Sequence, residues 1–230
     1  MEPIDSFFKA CDTDNHLIIP YLINKGLNTD FAIGFAASFG CFEILKCFLE
    51  LGVDFNVDNN YAVRYSAANG HLNILKYLFE KGAKDDNNRG LTLAAEYGRI
   101  DVVKFLLQHN SSRMYDDGVK FACQFGHLEV VKILFKNGAN LRSEHDFCIR
   151  RSQNYPEIIN FLVENGVPES LITSQRCKKY VEICRKSKHR AQKKIYFWWI
   201  PICYNLDHPS GCGKRMRQKN YNKFLELCES

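Results

Sequence analysis

A period of 28 to 30 residues constrains this chain more than any other feature. Four runs of the form small-small-x-x-Gly end at Gly40, Gly70, Gly98 and Gly126, which lie 30, 28 and 28 residues apart. They read Ala36-Ala37-Ser38-Phe39-Gly40, Ser66-Ala67-Ala68-Asn69-Gly70, Ala94-Ala95-Glu96-Tyr97-Gly98 and Ala122-Cys123-Gln124-Phe125-Gly126. A second landmark keeps the same step: Gly52, Gly82, Asn110, Gly138 and Gly166 each follow an apolar-periodic run, at spacings of 30, 28, 28 and 28. Asn110 stands where a left-handed helix stop is needed, and Asn is the second choice after Gly there. Leu128, Val131, Ile133, Leu134 and Phe135 give the clearest run an apolar face too wide for one short helix to hide. Units of this size bury that face by stacking on their neighbours.

Each unit therefore holds two helices. The spacing predicts short first helices over 31–38, 61–69, 90–97 and 117–125, with small residues where backbones approach. It predicts longer second helices over 42–50, 72–81, 100–109, 128–137 and 156–165, the last with Pro156 in the tolerated first turn. Polar stretches separate the units, and Asn59-Asn60, Asn87-Asn88 and Asp116-Asp117 read as turn formers. The expected fold is an all-α helix-turn-helix solenoid over 30–167, about five units long. A cap-like helical segment over 1–29 precedes it, and a helical basic, aromatic C-terminal cap over 168–230 follows.

Composition bounds the function. Hydrophobic residues at 46% and charged residues at 25% are ordinary for a globular chain. Met1 to Ala10 has no apolar core of a signal peptide. The longest apolar run, 195–203, is too short to span a bilayer, and Pro201 interrupts it. Ten cysteines scattered through helical patterns read as reduced, packed thiols of a cytoplasmic chain, with the nucleus as an alternative. The charge is split: residues 1–170 hold 17 Lys and Arg against 22 Asp and Glu, and residues 171–230 hold 14 against 4.

The letters resemble the ankyrin-repeat family. The matching features are the small-small-x-x-Gly turn, the cores opening Gly70-His71-Leu72 and Gly126-His127-Leu128, and the stops Gly82-Ala83 and Gly138-Ala139. The usual Thr-Pro-Leu-His opening is missing, and the period is below the usual ~33 residues. The finger between units should then be a plain loop. Short-period units of this kind resemble the ankyrin families of giant DNA viruses. The resemblance implies a non-catalytic, monomeric scaffold that binds a protein of host or virus, through inner-helix edges and loop tips.

On that basis the candidate partner-binding residues are Phe39, Asn69, Tyr97 and Phe125 before the turn glycines, Glu96 and Gln124 beside them, and Asn60, Arg89 and Asp117 at the loops. Three of the four pre-glycine residues are aromatic, so they are either exposed anchors or rings folded into the core. His71 and His127 read as helix-start histidines bonding across the turn. The tail offers Lys178, Lys179, Arg185, Lys186 and Arg190, which suit nucleic acid or an anionic membrane. An adaptor role for a ubiquitin ligase is a further alternative implied by the resemblance. Cys203, His208, Cys212 and Cys228 include zinc-binding residue types, but no Cys-x2-Cys pair exists, so no metal is assigned. No cofactor loop or catalytic constellation stands out, and Gly211-Cys212-Gly213-Lys214 lacks the other half of a phosphate-binding motif.

Overall fold

The computed structural model describes residues 2–55, 57–109 and 115–204, excepting the side chains of 57–59 and 193–204. The chain divides into two units, Met1–Lys178 and Lys179–Ser230. Among the described residues there are helices and turns and no strand. The first unit begins with α1 (Pro3–Asp12) and α2 (Ile19–Asn24). Five helix pairs follow: α3 (Thr29–Phe39) with α4 (Phe42–Glu50), α5 (Val57–Asn69) with α6 (Leu72–Glu80), α7 (Arg89–Glu96) with α8 (Ile100–His109), α9 (Asp116–Phe125) with α10 (Leu128–Lys136), and α11 (Ser143–Arg151) with α12 (Pro156–Glu164). A long helix, α13 (Gln175–Tyr204), starts in the first unit and runs into the second.

The odd-numbered helices α3 to α11 pack on one another in series and form the inner layer. Ala36, Ala37, Ala67, Ala94, Ala95, Ala122 and Cys123 are fully buried there, because only small side chains let five backbones lie this close. The even-numbered helices bury the same three register positions each time: Ile44, Leu45 and Phe48; Ile74, Leu75 and Leu78; Val102, Val103 and Leu106; Val130, Val131 and Leu134; Ile158, Ile159 and Leu162. That is the i, i+1, i+4 face of a helix covered from one side.

The register between repeats rests on one recurring contact. The residue after the turn glycine, at the start of each outer helix, reaches back to the turn of the preceding repeat. His71 Nε2 lies 2.9 Å from the Ser38 carbonyl oxygen and His127 Nε2 lies 2.8 Å from that of Glu96. Arg99 Nε donates to the Ala68 carbonyl at 2.9 Å. The histidines thus bond to the neighbouring repeat rather than across their own turn. Their rings occupy the space that a side chain on the earlier glycine would need: a Cβ on Gly98 would meet His127 Nδ1 at 2.5 Å, and one on Gly40 would meet His71 Cε1 at 2.7 Å. In the last pair Tyr155 takes this place, against Gly126.

The loops are linked by side chains. Asn60 Nδ2 donates to the Lys84 carbonyl at 3.2 Å and to Asp86 Oδ2 at 2.8 Å. Asp85 caps α7, accepting from Gly90 N at 2.6 Å and Leu91 N at 2.9 Å. Asp116 Oδ1 accepts from Asn140 N at 2.9 Å. Asn87 and Asn88 are left-handed, as turn formers should be; Asn60 is left-handed too but lies in the first turn of α5, and Asp116 and Asp117 begin α9. Acids suit the positive end of a helix, which is the better use of them there. Cys11, Cys41, Cys47, Cys123, Cys148, Cys177 and Cys184 are free thiols. A hydrogen bond that the Cys123 thiol donates to Cys148, together with burial, pushes the Cys123 pKa well up, so it is a packed and unreactive group.

Gly98→Ala should cost about 2–4 kcal/mol in urea unfolding, from a left-handed backbone combined with the His127 clash. Gly138→Ala, equally left-handed but with open space around it, should cost only about 1–2 kcal/mol. In the Gly98→Ala, His127→Ala double variant the two losses should fall short of adding. Full additivity would mean that the glycine and the ring do not meet.

Candidate functional site

The residues before the turn glycines lie at the edge of the inner layer. Phe39 is 64% exposed, Tyr97 53% and Phe125 43%, and Asn69 is exposed too. The small residues two and three places earlier are fully buried. The helical step alone accounts for this: one side of each inner helix faces the stack and the pre-glycine residue turns away from it. Glu96 and Gln124 are half-buried beside them. Asn69 Nδ2 donates to Ser38 Oγ and to the Tyr65 carbonyl, both at 3.1 Å, so this rung is tied to the preceding one.

The N-terminal end of this edge is a concavity of about 480 Å³, lined by Asn28, Asp30, Phe31, Phe35, Ser38, Phe39 and Tyr61. Sequence reasoning singled out only Phe39 of these. Phe31, Phe35 and Phe39 are spaced i, i+4, i+8 and line one side of α3, which was a readable signal. The Phe35 and Phe39 rings stack at 4.1 Å, and Phe31 lies 5.8 Å from Phe35. Phe8 of α1 packs 4.9 Å from Phe35 and 6.3 Å from Phe31, so α1 supports the rings from behind. Asn28 Oδ1 accepts from Phe31 N at 3.0 Å and caps α3. The opposite wall is Tyr61 of α5, whose ring stacks on Tyr65 at 4.1 Å. Gly34 makes room for it, since a Cβ there would meet Tyr61 Cδ1 at 2.6 Å.

The loop candidates divide. Arg89 is exposed at the start of α7. Asp117 is exposed but pairs with Lys120 at 2.6 Å. Asn60 is corrected: it is 9% exposed, and its amide bonds to Lys84 and Asp86, so it holds the loops together and cannot serve as a contact. A residue that sequence reasoning missed is Lys120. Its side chain is 8% exposed, and its ammonium also pairs with Glu144 at 2.5 Å, linking α9 to α11. Burial works against the Lys120 charge, but the two carboxylates outweigh it and hold its pKa above the usual lysine value.

Arg176, Lys178, Lys179, Arg185, Lys186, Lys188 and Arg190 are all exposed on α13, and Glu182 pairs with Lys186 at 2.5 Å. No group of His, Cys, Asp and Glu among the described residues could hold a metal, and no described helix is long and apolar enough to cross a membrane. The side chains of Cys203, His208, Cys212 and Cys228, those of Trp198 and Trp199, and the part of the expected helical C-terminal cap over 205–230 lie outside the described residues.

The chain belongs to the ankyrin-repeat family: the family model "Ankyrin repeats (3 copies)" matches residues 7–90, 33–117 and 91–173. Its fold is similar to that of the human ASB11 ankyrin repeat domain, with a TM-score of 0.60 and 20% identity over 70% of this chain and 84% of that one. No curated protein sequence matches the chain. Ankyrin repeats are generally non-catalytic scaffolds for protein–protein interaction.

Two expectations follow for stability. Phe39→Ala should cost less than about 1 kcal/mol, because the ring is mostly in water, whereas Phe35→Ala, packed among four other rings, should cost about 2–4 kcal/mol. Lys120→Met should cost about 1–2 kcal/mol near neutral pH. With the folded pKa raised, that contribution is complete below the unfolded lysine value of about 10.4 and fades as pH rises through the folded one. The difference between Lys120→Met and wild type in chemical denaturation should therefore hold from pH 7 to about pH 10 and shrink above it.

Proposed function

We propose that this chain is a non-catalytic scaffold that grips one partner protein along the inner-helix edge. The observation that carries the reading is the repeated exposure of Phe39, Tyr97 and Phe125 at one register position. Rigid aromatics on a fixed frame lose little entropy when they are covered, which makes them efficient anchors. Asn69 and Arg89 add polar contacts along the same edge. The partner belongs to a host cell or to a virus, and the chain acts as a monomer in the cytoplasm. The short period supports a source among giant DNA viruses.

A second reading concerns α13. Seven exposed cations on its described part, against one acid, favour a tether to nucleic acid or an anionic membrane. A ubiquitin-ligase adaptor role would rest on the segment 171–230, and failure to pull down a ligase subunit with it would dismiss that role.

A crosslinking pull-down from the native cell, with the full chain and its Tyr97→Ala, Phe125→Ala double variant, tests the first reading. The variant should keep its thermal midpoint within about 2–4 °C and lose its main captured protein at least ten-fold. Unchanged capture would remove the edge from the reading, and a collapse in stability would return the rings to the core. For α13, retention on heparin should fall steeply with salt, and no retention at low salt would dismiss the tether.

A further inference from the structure

The concavity between α3 and α5 has a chemistry that selects its occupant. Four rings line it: Phe31, Phe35 and Phe39 on one side and Tyr61 on the other. Its lining holds a single charge, the Asp30 carboxylate, together with the polar side chains of Asn28 and Ser38. A purely apolar occupant would desolvate Asp30 with nothing in return, which is unfavourable for a carboxylate. An acidic occupant would meet both Asp30 and the negative faces of the rings. A cation on an alkyl stem satisfies every wall: the stem lies along the rings, the ring faces attract the charge, and the head reaches Asp30. The site already shows this preference on its own side chains, since the Arg64 guanidinium lies 5.8 Å from the Tyr61 ring and 6.0 Å from that of Tyr65. Arg64 is not among the lining residues and leaves the concavity open.

We propose that this concavity is a receptor for an arginine or lysine side chain, presented by a basic segment of the partner protein. The proposal rests on the partner-binding reading above and narrows it to one class of sequence. The excess of acids over bases in residues 1–170 agrees with it, because a basic segment is attracted to the repeats before contact is made.

The test uses the full chain with aromatic side chains labelled for NMR, and two blocked five-residue peptides. One carries a central arginine between alanines, and the other carries citrulline, a neutral isostere, at the same place. The arginine peptide should shift the ring signals of Phe31, Phe39 and Tyr61 at millimolar concentration, leaving Tyr97 and Phe125 unmoved. The citrulline peptide should bind at least ten-fold more weakly. Asp30→Asn, an exposed isosteric change that leaves the fold intact, should weaken the arginine peptide by a similar factor. Equal binding of the two peptides, an unchanged affinity in Asp30→Asn, or shifts confined to other rings would each overturn the proposal. None of these would touch the partner-binding reading, which is decided at Tyr97 and Phe125 in the pull-down.

Discussion

The stack holds its register through side chains that leave their own repeat. At the start of α6, α8, α10 and α12 a histidine, arginine or tyrosine lies over the glycine of the repeat before, and three of the four bond to a carbonyl just upstream of it. Hydrophobic burial alone would not set that register, because Ile, Leu and Val faces slide over one another at small cost. A carbonyl that has finished its helix has a free lone pair, and a donor from the next repeat satisfies it at one alignment only. The glycine is needed twice there, for its left-handed backbone and for the space above it. This explains why one position repeats as glycine while its neighbours vary.

The shortened period follows from the same economy. No strand lies among the described residues, so the connections between repeats have no ladder of backbone bonds to hold them. Asn60, Asp116 and Lys120 take over, each bonding 24 residues ahead. These side chains tie the first turns of α5 and α9 to the segments that follow one repeat later. The Asn60 amide shows this most plainly: in the first turn of α5 it is buried against the segment that holds Lys84 and Asp86.

Much of this was legible in the letters, for identifiable reasons. Two landmarks at one spacing define the pairs of helices, and small residues before each glycine define the inner layer. Outer helix bounds could be read because apolar periodicity and a glycine stop coincide. The concavity was harder. The i, i+4, i+8 phenylalanines of α3 were visible, but their opposite wall depends on Tyr61 crossing from the next repeat over Gly34, a contact that no local pattern encodes. Lys120 was missed because a lysine is normally read as solvated, and only the meeting of α9 with α11 puts Asp117 and Glu144 on its ammonium. Asn60 was misread because its partners belong to the following loop.

The edge is not uniform, and the difference has a mechanical consequence. Toward the N-terminus it is a cluster of rings braced by α1, and by α9 it is a single exposed Phe125. In a stack where each repeat contacts only its neighbours, order at one end depends on few interfaces. The Phe31–Phe35–Phe39 wall is held from behind by Phe7 and Phe8 and faced by Tyr61, so three helices, α1, α3 and α5, must be docked for the concavity to exist. Terminal repeats are the first to fray in such arrays. A ligand filling the concavity would contact both walls at once and so oppose fraying of the end that forms it. Binding there would be coupled to local folding more tightly than binding at Tyr97 or Phe125, which sit at the ends of helices flanked by neighbours on both sides.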